Sequence, residues 1–504
     1  MNISTVLIFL SLFTLSKSFT PTKISVKVSS GVTKTTTNHN RVVELVKLKS
    51  TCLKAGKEIC ILGGGFGGLN TALTLSNLPW PNDQKPNITL VDNKERFVFL
   101  PLLYELCVGD ATLEEVAPTF DSLLANTGIQ FIKGNVYGID KDKDLVYIDE
   151  SKNRDATRTI KYDSLVIATG AGVDLDMVSG AKELALPFYT LDNCLELRKR
   201  LTLLDSIGGN LEREIRVVIL GGGYSGVELA LNMKERLSNV GKGVHVTIVQ
   251  RSGEILQYAT DYNKKIGKDR LDSAGIHVKT NKNVVEVLPE SDSSLDLQGR
   301  CKVVIQDNQK HNCDSIQDEV LDADILLWTA GTMSKNIQRG ILNSELPRDA
   351  KGRIVVSPYL QVKGCKNIFA LGDCSRSKKM YGATAAVAMQ QASYAAWNVY
   401  ASVMSGDSSE NIPSSDYKML PFQYISLGEM LTLGGEDASI SSMGIVELNG
   451  ASASMLRRLV YAVRMPTAQQ ALTAAISSLS KRFEIAARKG SEKSKTPQKI
   501  IEWR

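Results

Sequence analysis

The chain has 504 residues, of which 43% are hydrophobic and 23% charged, a globular composition with room for two or three domains. Its net charge of +6 is unevenly spread: residues 1–57 and 453–504 carry +8 each, which leaves the body between them at −10. An acidic body offers no basic groove to nucleic acid. Eight scattered cysteines and four unclustered histidines exclude both zinc-type spacing and a C-x-x-C or C-x4-C redox pair.

The apolar run from about Val6 to Leu15 is too short to span a bilayer but has the length of a signal-peptide core. A Ser-, Thr- and Lys-rich stretch follows, with no acid before Glu44. Signal then transit, with Phe19 near the junction, resembles the bipartite presequences that lead to plastids lying inside extra membranes. Residues 1–57 are therefore expected to be a targeting segment and linker, with a plastid (chloroplast) destination. A plain secretory signal with a linker, or a mitochondrial destination, are the alternatives. No later run reaches the ~18 apolar residues of a membrane-spanning helix.

Residues 58–73, EICILGGGFGGLNTAL, and 215–231, IRVVILGGGYSGVELAL, repeat one pattern. Each is a β-branched run, then Gly-x-Gly-x-x-Gly, then small and apolar residues at helical spacing, which predicts strand, tight turn and helix. Gly63 and Gly221 permit the turn, Gly65 and Gly223 let backbone approach a pyrophosphate, and Gly68 and Gly226 allow helix and strand to pack closely. One such motif is a weak signal. Two, each followed by a second strand some 25 residues on, are a strong one.

The second strands differ at their ends. ITLVD (88–92) ends in Asp92, a carboxylate suited to a ribose diol. VTIVQR (246–251) has Gln250 and Arg251 there, an amide and a guanidinium that can hold a 2′-phosphate which a carboxylate would repel. The second site is expected to accept NADPH at least as well as NADH, unless Arg251 is simply a solvated surface residue. YDSLVIATGA (162–171) and DADILLWTAG (322–331) read as the returning strands of the two sheets. NIFALGDCS (367–375) places Gly372 and Asp373 just after another apolar strand.

This order resembles the two-dinucleotide-binding-domain flavoproteins. CILGGGFGGLNTAL, VDNKERFVFLPLLYEL, LGGGYSGVELA, IFALGDCS and PFQYISLGEMLTLG resemble most closely the type II NAD(P)H:quinone dehydrogenases, in their plant plastid NDC1-like branch. The resemblance implies an α/β fold of two Rossmann-like domains, the FAD domain split by an inserted NAD(P)H domain. The boundaries expected are 58–185 and 336–420 for the FAD halves and 186–335 for the NAD(P)H domain. A C-terminal region at 421–489 and a basic tail at 490–504 follow. By the same resemblance FAD is held by Gly63, Gly65, Phe66, Gly67, Gly68, Asp92, Thr169, Gly170, Gly372 and Asp373. NAD(P)H is held by Gly221, Gly223 and Gly226, with Gln250 and Arg251 at its ribose, and Glu228 helps place nicotinamide against flavin. The implied reaction passes hydride from NAD(P)H to FAD and two electrons on to a membrane quinone of plastoquinone or naphthoquinone type, with no catalytic cysteine or metal.

The family's quinone-side helix opens Pro-x-Thr-Ala-Gln, with a second Gln one turn later. Here GATAAVAMQQ (382–391) has Gly382 for the proline and Ala386 for the first glutamine, while Gln390 keeps the second. Gln390 is thus expected either at the quinone or as a satisfied helix amide. In the C-terminal region Met455, Leu456, Leu459, Val460 and Val463 form a stripe, with Arg457, Arg458 and Arg464 away from its centre. Leu472, Ile476, Leu479 and Phe483 repeat that spacing. Apolar stripe with cationic flank predicts helices lying on anionic lipid. Packing of the stripes against the body or in a homodimer is the alternative. The rival functions are a sulfide:quinone oxidoreductase, which needs cysteines at the flavin, and a flavin-containing signalling protein resembling apoptosis-inducing factor.

Overall fold

The computed structural model describes residues 56–81, 85–150, 157–207, 211–290, 299–308, 318–334, 346–406, 417–467 and 470–472. Residues 1–55 of the expected targeting segment, most of the second stripe expected to form a C-terminal helix, and the basic tail lie outside them.

Two five-stranded parallel sheets form the frame. In chain order their strands are β1 (Glu58–Leu62), β2 (Asn87–Asp92), β3 (Gln130–Lys133), β4 (Ser164–Ile167), β5 (Leu186–Pro187), β6 (Ile215–Leu220), β7 (Val244–Val249), β8 (His277–Lys279), β9 (Ile325–Trp328) and β10 (Ile368–Ala370). The first sheet has the order β10-β4-β1-β2-β3 and the second β8-β7-β6-β9-β5. All their pairings are parallel. Central strands such as ILLW are buried throughout, as continuous apolar runs covered on both faces must be.

The duplication extends well past the glycine motif. In each unit a three-stranded antiparallel meander precedes the closing strand: 135–140, 145–149 and 157–161 before β4, and 282–289, 301–307 and 319–323 before β9. Leu62 then pairs with Ile167, and Leu220 with Trp328, in matching register. After the second unit the chain returns and adds β10 beside β4. The expectation of a dinucleotide domain inserted into a split one therefore matches the strand orders.

Five helices matter to the site: α1 (Phe66–Ser76), α2 (Leu103–Val108), α3 (Tyr224–Leu237), α4 (Ala385–Gly406) and α5 (Ala451–Arg464). α4 packs along α1, and α2 against α3. Strands β11 (Glu429–Thr432), β12 (Ala438–Ser442) and β13 (Val446–Asn449) form an antiparallel sheet under α5. No described helix is long and apolar enough to cross a membrane.

The reading of α5 as a lipid-facing helix is corrected here. Leu456 and Val460 are buried with Ile440 of β12 in a small core of their own. Arg457 is 1% exposed and Arg464 is buried, so these two cations face inward. Leu456 and Val460 of the stripe cover the protein's own sheet, Met455, Leu459 and Val463 are half-buried, and Arg457 and Arg458 pair with Glu105. Leu472, the first residue of the second stripe, is 62% exposed; Ile476, Leu479 and Phe483 lie outside the described residues.

Candidate active site

Both glycine turns sit at the carboxyl edges of their sheets, where β1 and β6 end. Gly63 and Gly221 have φ of +98° and +111°, which side chains rarely tolerate. A β-carbon on Gly68 would lie 1.7 Å from the Gly63 carbonyl oxygen, and one on Gly226 1.8 Å from that of Gly221. Gly65 and Gly223 are different. A β-carbon there would meet nothing within 4 Å, and their φ of −71° and −77° suit any residue. Open space over the first N–H groups of α1 and α3 is the cradle a pyrophosphate needs.

The strand ends carry matched acceptors. Asp92 accepts hydrogen bonds from the N–H of Gly64 at 2.6 Å and of Lys94 at 2.8 Å. Gln250 takes the same place in the second unit, its Oε1 accepting from the Gly222 N–H at 2.8 Å. Its Nε2 donates to Ser252 Oγ at 2.5 Å. Glutamine thus keeps the acceptor that closes the turn and removes the charge. Arg251, the next residue, is exposed.

On the first sheet β4 runs into Thr169 and Gly170, and β10 into a tight turn at Gly372–Cys374. Gly170 and Gly372 have φ of +70° and +72°. Burial raises the pKa of Asp373, and its carboxylate has no ion-pair partner among the described residues. The buried Thr169 hydroxyl makes no hydrogen bond of good geometry, with the weakly bonding Cys374 thiol beside it. A cradle at Gly65, a desolvated carboxylate and an unmatched hydroxyl on one sheet edge fit a flavin dinucleotide. The Phe66 ring packs edge-on to Phe97 and Phe99, 5.2 and 5.4 Å between centroids. Gly67 makes room for Leu371, whose Cδ1 would lie 3.2 Å from an added β-carbon.

Gln390, expected either at the quinone or as a satisfied helix amide, is bonded to backbone at both ends of its amide. Its Nε2 donates to the Ile425 carbonyl at 2.9 Å, and its Oε1 accepts from the Ile425 N–H at 3.1 Å. The amide splints the segment at 425 to α4. Its neighbour Gln391 was not singled out by the sequence, yet its buried Oε1 accepts from the Gly372 N–H at 2.7 Å and holds the Asp373 turn. Periodicity shows which face of a helix is covered, not which of two adjacent amides meets a turn from another strand. Gly382 precedes α4 and Ala386 stands in its first turn.

Glu228 lies on α3, two residues past Gly226. It keeps some surface accessible, yet it is set deep among protein atoms. Desolvation lifts its pKa from 4.5 to about 7, against the Thr432 N–H, Arg457 and the Tyr104 hydroxyl, which favour the ionised form. The Thr432 N–H donates to its Oε1 at 3.0 Å. A carboxyl whose pKa burial raises, beside a glycine turn, is a candidate functional group.

A family model described as pyridine nucleotide-disulphide oxidoreductase matches residues 57–392. The chain belongs to this family. Among curated relatives it is 36% identical over 431 residues to the demethylphylloquinone reductase NdbB of Synechocystis, covering 85% of this chain and 96% of that one. It is equally 36% identical, over 441 residues, to the alternative NAD(P)H-ubiquinone oxidoreductase C1, chloroplastic/mitochondrial, of Arabidopsis thaliana, covering 84% and 80%. The solved structure of NDH2 from Plasmodium falciparum in complex with NADH shares the fold, with a TM-score of 0.68 at 18% identity over 84% of this chain and 98% of that one. So does the sulfide:quinone oxidoreductase of Aquifex aeolicus, with a TM-score of 0.63 at 20% identity, covering 82% and 92%. The thiols weigh against that second chemistry. Cys374 is buried and its Sγ lies 3.2 Å from the Leu371 carbonyl, and Cys107 and Cys194 are buried against each other.

Proposed function

We propose that this protein is a single-subunit NAD(P)H:quinone oxidoreductase with FAD as its bound cofactor. The observation that carries the reading is the pair of glycine cradles on two parallel sheets, one closed by Asp92 and the other by Gln250. FAD supplies a two-electron relay between a reduced nicotinamide and a quinone. The residues supply the rest. The Gly63–Gly68 turn and the α1 N-terminus receive the FAD pyrophosphate, and Asp92 keeps its turn closed while facing the ribose. Asp373, held by Gln391 through Gly372, bonds a ribityl hydroxyl, and Thr169 supplies a further hydroxyl. The Gly221–Gly226 turn receives NAD(P)H, Arg251 meets a 2′-phosphate without opposition from Gln250, and Glu228 orients the nicotinamide and exchanges a proton near it.

The two relatives act, by their names, on demethylphylloquinone and ubiquinone, and a long-tailed membrane quinone of plastoquinone or naphthoquinone type is the acceptor proposed here. Such a substrate requires peripheral docking on a bilayer. With α5 packed inward, docking falls to the segment from Leu472 onward. Gln390 acts at the quinone side by fixing the segment at 425. A plastid location fits the presequence, and a homodimer through the C-terminal region is part of the same reading.

The test is anaerobic addition of NADPH to the yellow protein, followed by a panel of quinones. Rapid bleaching and reoxidation by quinone is expected. A protein that stays colourless after incubation with FAD would sink the reading. A bleached flavin that ignores quinones would favour the signalling-protein alternative.

A further inference from the structure

Strand β11 belongs to neither dinucleotide sheet, yet it lies along α3, the helix that follows the second glycine turn. Three hydrogen bonds fasten it there. The Tyr224 hydroxyl donates to Glu429 Oε2 at 2.6 Å, the Thr432 N–H to Glu228 Oε1 at 3.0 Å, and, just past the strand, the Gly435 N–H to Glu235 Oε2 at 2.7 Å. Tyr224, Glu228 and Glu235 share one face of α3, and β11 follows it. Glu429 has a second donor, the Thr260 N–H at 2.8 Å. Thr260 caps the helix Asp261–Ser273 and ends the segment that begins at Gln250 and Arg251. That segment folds back over the glycine turn: the Leu256 N–H donates to the Gly222 carbonyl at 2.7 Å, and Ile255 Cγ2 would lie 2.5 Å from a β-carbon on Gly222. One carboxylate oxygen thus joins two walls of the second cradle, the first residue of α3 and the far end of the Arg251 segment.

The duplication shows why such a brace is needed. Three consecutive glycines, Gly221–Gly223, make a pliable turn, and the N–H groups after it bind phosphate well only if something else holds them in place. In the first unit the residue after the third glycine is Phe66, and its ring is fixed by packing against Phe97 and Phe99. In the second unit Tyr224 takes that place, and its hydroxyl reaches a carboxylate acceptor, which makes a stronger bond than a neutral one. We infer that Glu429 is a positioning residue for the nicotinamide dinucleotide: through Tyr224 and Thr260 it holds the α3 N-terminus and the Arg251 segment at the spacing that pyrophosphate and 2′-phosphate require. A strand of the C-terminal region then completes the second nucleotide site. The inference rests on the reading of this turn as the NAD(P)H site.

The experiment uses flavin-loaded protein and reads the Kd of NADP+ by titration calorimetry, beside KM and kcat for NADPH with a soluble quinone. In Glu429→Ala, which removes the shared acceptor, Kd and KM rise about tenfold while kcat and bound flavin hold. In Glu429→Gln, whose amide oxygen still accepts, they rise no more than about threefold. Tyr224→Phe, which deletes one hydroxyl, also costs about threefold. Adding it to Glu429→Ala costs nothing further, because the two residues share one bond. A brace that served the fold alone would lower the melting temperature and leave Kd where it was. Unchanged Kd in Glu429→Ala, no rescue in Glu429→Gln, or losses that add in the double variant overturn the inference. Should Glu429→Ala fail to fold, an unchanged Kd in Tyr224→Phe overturns it alone. A parent protein that binds no NADP+ would instead sink the reading of the turn itself, and one that binds it without reducing quinones would sink the proposed activity while the brace stands.

Discussion

Alanine at Gly223 and alanine at Gly226 are expected to have opposite consequences, though the residues lie three apart in one turn. At Gly223 the new methyl meets nothing within 4 Å, and the backbone conformation suits alanine. The fold should therefore be indifferent to it, with a melting temperature within about 2 °C of the parent. The methyl does occupy the cradle that a pyrophosphate must enter, so KM for NADPH should rise at least about tenfold, roughly 1.4 kcal/mol or more. At Gly226 the methyl starts 1.8 Å from the Gly221 carbonyl oxygen and needs at least 3.0 Å, so α3 must retreat by about 1.2 Å. Overpacking of that kind costs about 1–3 kcal/mol, or roughly 2–12 °C for a unit of 150–250 residues. The assay is differential scanning fluorimetry with flavin absorbance, followed by steady-state kinetics. Gly223→Ala should stay yellow and stable, whereas Gly65→Ala, its counterpart, should lose the flavin. A Gly223→Ala enzyme with unchanged KM, or a Gly226→Ala enzyme with unchanged melting temperature, would refute the reasoning.

Gln250→Asp keeps the acceptor for the Gly222 N–H and restores a negative charge; kcat/KM should fall more than about tenfold for NADPH and much less for NADH, and equal losses would remove Arg251 and Gln250 from phosphate recognition. Asp92→Asn retains an acceptor for the Gly64 N–H whereas Asp92→Ala does not, so flavin affinity, read by ultrafiltration and absorbance, should decline mildly in the first and sharply in the second. Because burial raises the pKa of Glu228 from 4.5 to about 7, the stability it contributes is fully present below pH 4.5 and is lost as pH rises through 7. Glu228→Gln should flatten that part of the stability curve, by on the order of 3 kcal/mol at most, and urea midpoints measured from pH 4.5 to 8 check it.

The two dinucleotide units were legible in the linear sequence because their signals are local. A chain that must leave a buried strand, turn within three residues and start a helix against the strand it left has few alternatives to glycine at 63, 68, 221 and 226. The residue closing each turn, Asp92 or Gln250, follows at a fixed strand length. The antiparallel meanders left weaker signals, since short, mostly exposed strands such as 157–161 alternate little.

Other features were decided only when distant segments met. The stripe on α5 has the same period whether it faces lipid or a sheet, since both are apolar; the contacts with β12 and the burial of Arg457 choose between them. Gln390 and Gln391 are indistinguishable as neighbours in a helix until the Ile425 backbone and the Gly372 turn arrive at their respective sides. Residues 105 and 457 come from separate elements, and no pattern along the chain records that they meet in a buried ion pair. Local backbone geometry can be written in neighbouring residues; the electrostatic environment of a buried charge is a sum over everything folded around it, and exists only once the fold does.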